Sequence, residues 1–394
     1  MEEILNSPLD VANIEPICGA DSVTNKADDQ SLVSIIIPTK DRRVLLMETI
    51  ASLQNQTYQH WEAIVVDDGS EDDTWLAVQE IAARDSRIRP MRRVGPIGGA
   101  SRARNQGFAA SRGAFIVFLD SDDLLAPTAL ALRLDAVKVH PGADAVVFEG
   151  EYFRTAPGES REDCQLARRF GGGIDALDSF LTTRSPWCIC SPLWRRTALI
   201  RAGPWDAERS YLDDAEFHTR ATILGIRFQQ FAIVDHYIRI HRGPQVSRSK
   251  ITKVTQVLQL MDEFSELLEA HDKLTPRRKR MIAWFALSQT LDRGLASPRL
   301  RAADALLPWR AARDRRIVGA TAYVIGSILA LLQWAHIAGL LPRELARLIL
   351  VLVLLCYKRL TPQKGQHGSC RIKKAAMIWR SVAMECGLCR PQEG

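Results

Sequence analysis

The amino-acid sequence predicts an α/β protein built on a mostly parallel sheet flanked by helices, with an all-helical C-terminal extension. Three observations predict this fold. Short β-branched runs alternate with stretches of helical spacing between positions 32 and 149, and such alternation is typical of parallel sheets with right-handed crossovers. Polar clusters follow directly after three of these runs. Beyond position 250, helical spacing with many basic residues replaces the alternation.

The composition is that of a globular protein. The chain has 394 residues, enough for one large domain or two ordinary ones. Hydrophobic residues make up 46% and charged residues 25%, which excludes a disordered chain. The net charge of +6 is small for this length and indicates no nucleic-acid partner. The eight cysteines are scattered and no signal peptide opens the chain. We therefore expect a protein of the reducing cytoplasm.

The first elements follow strand–helix order. Positions 1–31 carry acids, Asn and Ser without a clear period, so we expect a flexible leader. The run "LVSIIIP" is β-branched and closed by Pro38, which is typical of a buried strand. Helical spacing over Val44–Gln54, the strand "WEAIVV" and a helix over Asp73–Ala83 come next. A short third strand is predicted over Ile88–Arg93.

The remaining elements complete the predicted domain. The segment "GGASRARNQGFAAS" predicts a loop that enters a helix, "AFIVFL" a fourth strand and "ADAVVFE" a fifth. From Tyr152 to Ser247 the pattern is less regular, with a helix that opens on acids at "YLDDAEFHTRATILG" and extended structure at "RFQQFAIVDHYIRIH". We therefore predict a single α/β domain over 32–248.

The rest of the chain is predicted to be helical. Basic amphipathic helices are expected over 249–316, and apolar helices with a basic tail over 317–394. The run Ile317–Pro342 has no charged residue and could span a bilayer, whereas Leu348–Tyr357 is too short. Three arrangements stay open: a hairpin in or on the inner leaflet, a true span, or helices in a soluble core. Basic flanks predict attachment to the cytoplasmic face of the inner membrane in the first two.

The tail also carries a spacing typical of zinc sites. Two residues separate His367 from Cys370, and two separate Cys386 from Cys389. The stretch between these pairs has helical character rather than that of a compact knuckle. Free intracellular thiols are therefore the favoured alternative.

Carboxylates close three of the predicted strands. Acids occur in the loops 39–41, 67–70 and 120–123, and ligands of parallel sheets bind beyond the carboxyl ends of the strands. Three acid-bearing strand ends indicate one shared site rather than three ordinary polar turns. Acids fixed at the end of a rigid strand provide oxygen ligands for Mg²⁺ or Mn²⁺. Such a cation neutralises the charge that grows as a nucleoside diphosphate departs.

Four segments carry a family resemblance. In order, "VSIIIPTKDR", "WEAIVVDDGSEDDT", "GGASRARNQG" and "AFIVFLDSDDLL" resemble the inverting glycosyltransferases of family 2. The resemblance extends over about Leu32 to Ser247 and is strongest up to Pro127. It implies a GT-A fold with a Rossmann-like sheet and a Mn²⁺ or Mg²⁺ cofactor. It also implies transfer from a nucleoside diphosphate sugar, with a UDP-sugar expected, to a glycan, lipid-linked or protein acceptor.

The resemblance assigns the nucleoside-binding residues. Pro38, Thr39 and Asp41 match the loop after the first strand that touches the nucleoside. Lys40 stands where the family often has an aromatic residue, which leaves the base preference open. Asp68 matches the acid that accepts a hydrogen bond from the base.

The resemblance also assigns residues around the sugar and diphosphate. Asp120 matches the acid near the ribose or sugar and Asp122 the metal-binding acid, while Asp123 is expected to be merely exposed. Gly99 and Arg104 match a helix start that approaches the donor phosphates, although a basic residue on a helix is often only solvated. His241 matches a closing segment beside the metal, with a structural histidine as the alternative. Trp187 and Trp194 are predicted to be either sugar platforms or, more commonly for tryptophans, core residues.

The general base is placed at the start of a helix. In the family this helix follows a Gly-x-Trp-Asp type of segment, and here Gly203, Trp205 and Asp206 precede Asp213 and Asp214. The resemblance makes Asp214 the general base for an acceptor hydroxyl and Asp213 a supporting or acceptor-contacting acid. Alternatively, both acids stabilise the N-terminus of the helix.

Two other functions compete with glycosyl transfer. A nucleotidyltransferase that makes activated sugars shares a nucleotide-binding α/β fold, but "PTKDRR" lacks the glycines usual in its first loop. A non-catalytic nucleotide or sugar binder is the second alternative. The presence of Asp68, Asp122 and Asp214 together counts against it.

Overall fold

The computed structural model describes most of the predicted domain and part of the helical extension. The residues it describes are 31–158, 175–182, 185–209, 211–240, 254–289 and 310. The elements in chain order are β1 (Val33–Thr39), α1 (Arg43–Gln54), β2 (Trp61–Asp67), α2 (Thr74–Ala82), β3 (Ile88–Arg92), α3 (Ala100–Ala110), β4 (Phe115–Phe118), β5 (Leu124–Leu125), α4 (Ala129–Val139), β6 (Ala145–Phe153), α5 (Ala176–Phe180), β7 (Pro192–Arg195), α6 (Arg196–Ala202), α7 (Asp213–Ile223), β8 (Phe228–Arg239), α8 (Val254–Ala270) and α9 (Pro276–Gln289).

The strands form one eight-stranded sheet in the order β3-β2-β1-β4-β7-β6-β8-β5. The segment β3-β2-β1-β4 is parallel throughout. Strand β7 pairs antiparallel with β4 and β6, and β5 pairs antiparallel with β8, while β6 and β8 are parallel. The predicted α/β fold with a mostly parallel sheet and flanking helices is confirmed.

The parallel segment is the centre of the core. Strands β1 and β2 are buried at every position because helices cover both faces of the sheet. Helix α3 approaches especially closely at Gly107, where a Cβ atom would lie 2.5 Å from the Cγ2 atom of Ile36. The sequence therefore places a residue without a side chain where helix and sheet touch.

The predicted strands and helices of the first half are all present, with ends shifted by a few residues. Five elements were not predicted: β5, α4, α5, β7 and α6. Strands of two and four residues are too short to show a period. Helix α4 has a buried arginine, Arg133, among its apolar positions, which obscures its pattern.

The described part of the C-terminal extension is helical, as predicted. Helices α8 and α9 form a second apolar core with α5 and α7, in which Leu260, Phe264 and Ile282 are buried. Among the helices that the structure describes, none is both long and apolar enough to cross a membrane. The predicted leader, the apolar runs and the histidine–cysteine pairs of the tail lie outside the described residues.

Candidate active site

The loops after β1 and β2 meet, as the topology predicts. The backbone N–H of Asp41 donates to the Ser70 Oγ at 3.0 Å, and the Asp41 Oδ1 accepts from the Glu71 N–H at 2.7 Å. The Asp68 N–H donates to the Thr39 carbonyl at 2.8 Å. Asp41 has a left-handed backbone with φ of 49°, which turns its carboxylate toward the second loop. The first two predicted nucleoside loops are thus one connected unit.

Asp68 is held between an arginine and a glycine-rich turn. Its carboxylate pairs with Arg93 and accepts from the Gly99 N–H at 2.7 Å. A Cβ atom at Gly98 would lie 3.0 Å from the Asp68 Oδ2, and Gly99 has a φ of +136°. The two glycines therefore let the start of α3 close over this acid. The Thr39 hydroxyl nearby is buried and has no hydrogen-bond partner within the described residues.

The three acids after β4 have three different environments. Asp122 forms an ion pair of 2.5 Å with Arg42, and Asp120 pairs with Arg104 at 2.9 Å. Asp123 is only 6% exposed and its Oδ1 accepts from the Arg239 N–H at 3.0 Å. The expectation that Asp123 is merely exposed is therefore wrong, because strand β8 covers it.

Crowding of these acids perturbs their protonation. Burial, opposed by Arg104 and reinforced by the charge of Asp122, raises the pKa of Asp120. Burial together with the charges of Asp122 and Asp120 raises the pKa of Asp123 well above its usual value. The acids at this strand end repel one another even with Arg42 and Arg104 beside them, so a cation there would be favourable.

Arg104 joins the two ends of the site. Its guanidinium contacts the Asp120 Oδ1 at 2.9 Å and the Asp213 Oδ2 at 2.8 Å, and it lies 4.8 Å from the centre of the Trp205 ring. Arg104 is only 5% exposed, so it is not the solvated helix residue of the alternative interpretation. It links the strand end after β4 to the start of α7.

The acid pair opens α7. Leu212 has a left-handed backbone with φ of 57° immediately before Asp213. The Asp213 carboxylate points to Arg104, whereas the Asp214 Oδ1 accepts from the Ala215 N–H at 2.7 Å. Both acids lie in the first turn, where the helix dipole favours the carboxylate form. Asp213, the predicted supporting acid, and Asp214, the predicted base, therefore have different surroundings.

The segment before α7 is fixed to α3. The Asn105 side chain donates to the Trp205 carbonyl at 2.8 Å and accepts from the Trp205 N–H at 2.9 Å. The Trp205 ring stacks on Phe217 with centroids 3.9 Å apart. Trp187 and Trp194 are buried in the same aromatic region, which agrees with the core alternative for both.

Sequence reasoning did not identify several residues around the site. Arg42 and Arg93 neutralise predicted site acids, but a single basic residue in a loop gives no signal. Cys188 contacts both Cys190 and His236 beneath the acidic strand end. Their Cys-x-Cys spacing was a readable signal. The predicted metal-site residue His241 lies outside the described residues.

Comparison with known proteins adds to this geometry. Residues 34–184 match the profile of the family described as glycosyl transferase family 2. The Escherichia coli UDP-Glc:alpha-D-GlcNAc-diphosphoundecaprenol beta-1,3-glucosyltransferase WfaP is 26% identical over 245 residues, 62% of this chain and 90% of that protein. The Campylobacter jejuni GalNAc(5)-diNAcBac-PP-undecaprenol beta-1,3-glucosyltransferase is 40% identical over 99 residues, 25% of this chain and 32% of that protein.

A solved structure has the same fold. Staphylococcus aureus TarS 1–349, crystallised with UDP-GlcNAc, superposes with a TM-score of 0.59 at 17% identity and covers 78% of this chain and 89% of that one. At this identity the likeness concerns the fold alone. Several curated relatives are matched over a third of their length or less.

Proposed function

The chain carries a glycosyl transferase family 2 domain of GT-A fold, and from this premise we propose that it is an inverting glycosyltransferase. It moves a sugar from a nucleoside diphosphate donor to a lipid-linked glycan. The observation that carries the proposal is the Arg104 bridge between Asp120 and Asp213. This bridge brings the predicted donor acids and the predicted base helix into one site.

The donor lies over the carboxyl ends of β1, β2 and β4. Pro38, Thr39 and Asp41 form the wall for the nucleoside, and Asp68 accepts a hydrogen bond from the base. The buried Thr39 hydroxyl without a partner among the described residues supports this assignment, because an unpaired buried hydroxyl is costly unless a ligand satisfies it. Gly99 lets the donor approach the start of α3.

The sugar end of the donor lies at Asp120. Arg104 is a positioning residue in this proposal, since its guanidinium is committed to the two carboxylates of Asp120 and Asp213. It fixes the acid beside the sugar relative to the helix that carries the base. A guanidinium held in this way keeps both acids in place.

A divalent cation fits the acidic strand end. The ligands there are hard carboxylate oxygens, suited to Mn²⁺ or Mg²⁺, and crowding already raises the pKa of Asp120. Asp122 would hold the cation, with His241 proposed beside it, and Arg42 would have to share the Asp122 carboxylate. When bound, the cation supplies neutralisation of the leaving diphosphate.

The transfer is a single displacement. The acceptor hydroxyl oxygen forms a bond to the anomeric carbon as the bond from that carbon to the diphosphate oxygen breaks. The hydroxyl proton passes to the Asp214 carboxylate, and the nucleoside diphosphate leaves with the bonding electrons. Asp213 holds the start of α7 against Arg104, so that Asp214 keeps its position.

The relatives guide the choice of substrates. Both bacterial relatives are named as glucosyltransferases acting on diphosphoundecaprenol-linked sugars, and WfaP is named for a UDP-Glc donor. We infer a UDP-sugar donor and a polyprenyl-diphosphate-linked acceptor for this chain. Such an acceptor would place the enzyme at the cytoplasmic face of the inner membrane, where the basic tail meets anionic lipid.

A transfer assay tests the proposal. Purified chain is incubated with Mn²⁺, one of several UDP-, GDP-, dTDP- or ADP-sugars, and a diphosphate-lipid sugar acceptor, and the product anomer is determined. We expect an inverted product with a UDP-sugar, its loss in Asp122→Ala, and unchanged activity in Asp135→Asn, a matched control on exposed α4. A retained anomer, or full activity of Asp122→Ala, would contradict the mechanism.

A further inference from the structure

Two cysteines and a histidine converge beneath the acidic strand end. Cys188 and Cys190 precede β7, and His236 lies on β8. The two Sγ atoms are 3.4 Å apart, and the Cys188 Sγ is 3.4 Å from the His236 Nε2. All three ligand atoms lie within 4.8 Å of one another, with Cys190 and His236 buried. The family match to residues 34–184 assigns no role to His236.

We propose that Cys188, Cys190 and His236 bind one Zn²⁺ ion. In tetrahedral zinc sites the Zn–S distance is about 2.3 Å and the Zn–N distance about 2.0 Å, so neighbouring ligand atoms are separated by roughly 3.4–3.8 Å. Two of the three separations are 3.4 Å, close to this geometry, and the third is within 4.8 Å. Thiolate and imidazole ligands favour Zn²⁺ over the Mn²⁺ or Mg²⁺ of the carboxylate site.

The histidine is oriented for metal binding. Its Nδ1 contacts the Asp235 Oδ1 at 2.8 Å, and Arg133 holds Asp235 through contacts of 2.6 and 2.9 Å. When the Nδ1–H donates to a carboxylate, the Nε2 atom carries a lone pair that can bind a metal. Many zinc-bound histidines have this arrangement. Nε2 then faces Cys188 and the Ser191 hydroxyl at 3.1 Å.

A small cavity lies beside the cluster. Gly150 faces the imidazole, where a Cβ atom would overlap the His236 Nε2. A cavity of about 10 Å³ is lined by Cys188, Ser191 and Gly150, close to the volume that one water needs. We assign the fourth zinc position to a water in this cavity. Two thiolates and Zn²⁺ sum to zero charge, so loading adds no net charge to this buried region.

The zinc site would link two segments of the sheet. Through His236 on β8 and the two cysteines before β7, zinc would tie together segments on either side of β6. The Cys190 Sγ is 3.8 Å from the Asp123 Oδ2, next to the proposed cation ligand Asp122. This role is structural and does not depend on the proposed transfer reaction.

Metal analysis of the full chain tests the site. The chain is expressed with added zinc and purified under reducing, chelator-free conditions, and zinc is counted by mass spectrometry. We expect about one zinc per chain, lost in Cys188→Ser/Cys190→Ser and kept in the matched control Cys386→Ser/Cys389→Ser. The control separates this site from the cysteine pair of the tail.

A cobalt titration tests the site in the wild-type chain, so the result does not depend on whether the variants fold. Metal-free wild-type chain is titrated with Co²⁺ and its absorption spectrum recorded. A thiolate-to-cobalt charge-transfer band with intense tetrahedral d–d bands supports the proposal, and the band should disappear in His236→Gln or change its shape. Folded wild-type chain without zinc or this band, zinc retained in Cys188→Ser/Cys190→Ser, or a Cys188–Cys190 disulfide in freshly purified chain would each overturn it.

Discussion

Replacing Arg104 by methionine tests the bridge on which the site depends. Methionine keeps an unbranched apolar stem but removes the guanidinium that contacts the Asp120 Oδ1 at 2.9 Å and the Asp213 Oδ2 at 2.8 Å. Arg104 itself is 5% exposed, so water cannot replace it freely. The variant leaves two carboxylates near each other without their shared counter-charge.

The size of the effect follows from the burial of each partner. Breaking a fully buried ion pair costs about 3–5 kcal/mol. The side chains of Asp120 and Asp213 are 37% and 23% exposed, so solvent recovers part of this loss. We therefore expect Arg104→Met to lower the free energy of unfolding by about 2–3 kcal/mol near neutral pH. Adding Asp120→Asn and Asp213→Asn removes the stranded charges and should restore most of it.

The loss should also depend on pH. Burial and the charge of Asp122 raise the pKa of Asp120 against the opposing charge of Arg104, so removing Arg104 should raise the pKa of Asp120 further above its unfolded value. A raised folded-state pKa gives stability that is present at low pH and lost as pH rises through that pKa. The difference in the free energy of unfolding between wild type and Arg104→Met should therefore become smaller as pH falls from about 7.5 to about 5.

Urea unfolding at both pH values, followed by circular dichroism, measures the deficit. The free energies of unfolding of wild type, Arg104→Met and the triple variant are compared, and their m-values should agree. A deficit under about 1 kcal/mol, or one that is the same at both pH values, would refute the charge argument. A triple variant as unstable as Arg104→Met would show that packing, not charge, is lost.

Three further results are expected. Gly107→Ala should lower the free energy of unfolding by about 1–3 kcal/mol, because its Cβ would meet Ile36. Gly142→Ala, whose Cβ would make only an ordinary contact with the Arg227 side chain at 3.7 Å, is the control, and equal loss of stability in the two variants would contradict this reason. Asp144→Asn should lower the free energy of unfolding by about 1 kcal/mol at neutral pH. Burial would raise the pKa of Asp144, but hydrogen bonds from two arginines outweigh it and lower this pKa to about 2. The stabilisation is therefore lost as pH falls from about 4 through 2, and a stability difference between variant and wild type that persists in acid would count against this explanation. Asp214→Asn should reduce kcat about 100- to 10,000-fold with donor affinity unchanged. Asp213→Asn should reduce both kcat and donor affinity. A similar kcat in wild type and Asp214→Asn would mean that another residue is the base.

The central strands of the parallel half, β1, β2 and β4, could be predicted because they are buried on both faces. Continuous β-branched runs such as Val33–Thr39 signal such strands directly. In the other half β6 and β8 were predicted, but β5 and β7 could not be, since they are defined by their partners rather than by their own pattern. Leu124 and Leu125 become a strand only by pairing with His236 and Tyr237.

The same distinction holds for the site. The positions of Asp41, Asp68 and Asp120 at one sheet edge follow from strand order alone. The burial of Asp123 depends on the amide of Arg239, more than a hundred positions away. The commitment of Arg104 to Asp213 likewise depends on how α7 packs. Local pattern carries no information on such distant partners.

The order of the site residues along the chain bears on how such a protein can change its acceptor. Every proposed donor residue lies between positions 38 and 122, within the strands and loops that precede α4. The proposed base and the segment that precedes α7 come from positions after 200. A chimaeric chain joined near β6 could therefore exchange one half for that of a relative. Several links would have to match across the joint, among them Arg104 with Asp213, Asn105 with the Trp205 backbone and Asp123 with the Arg239 N–H.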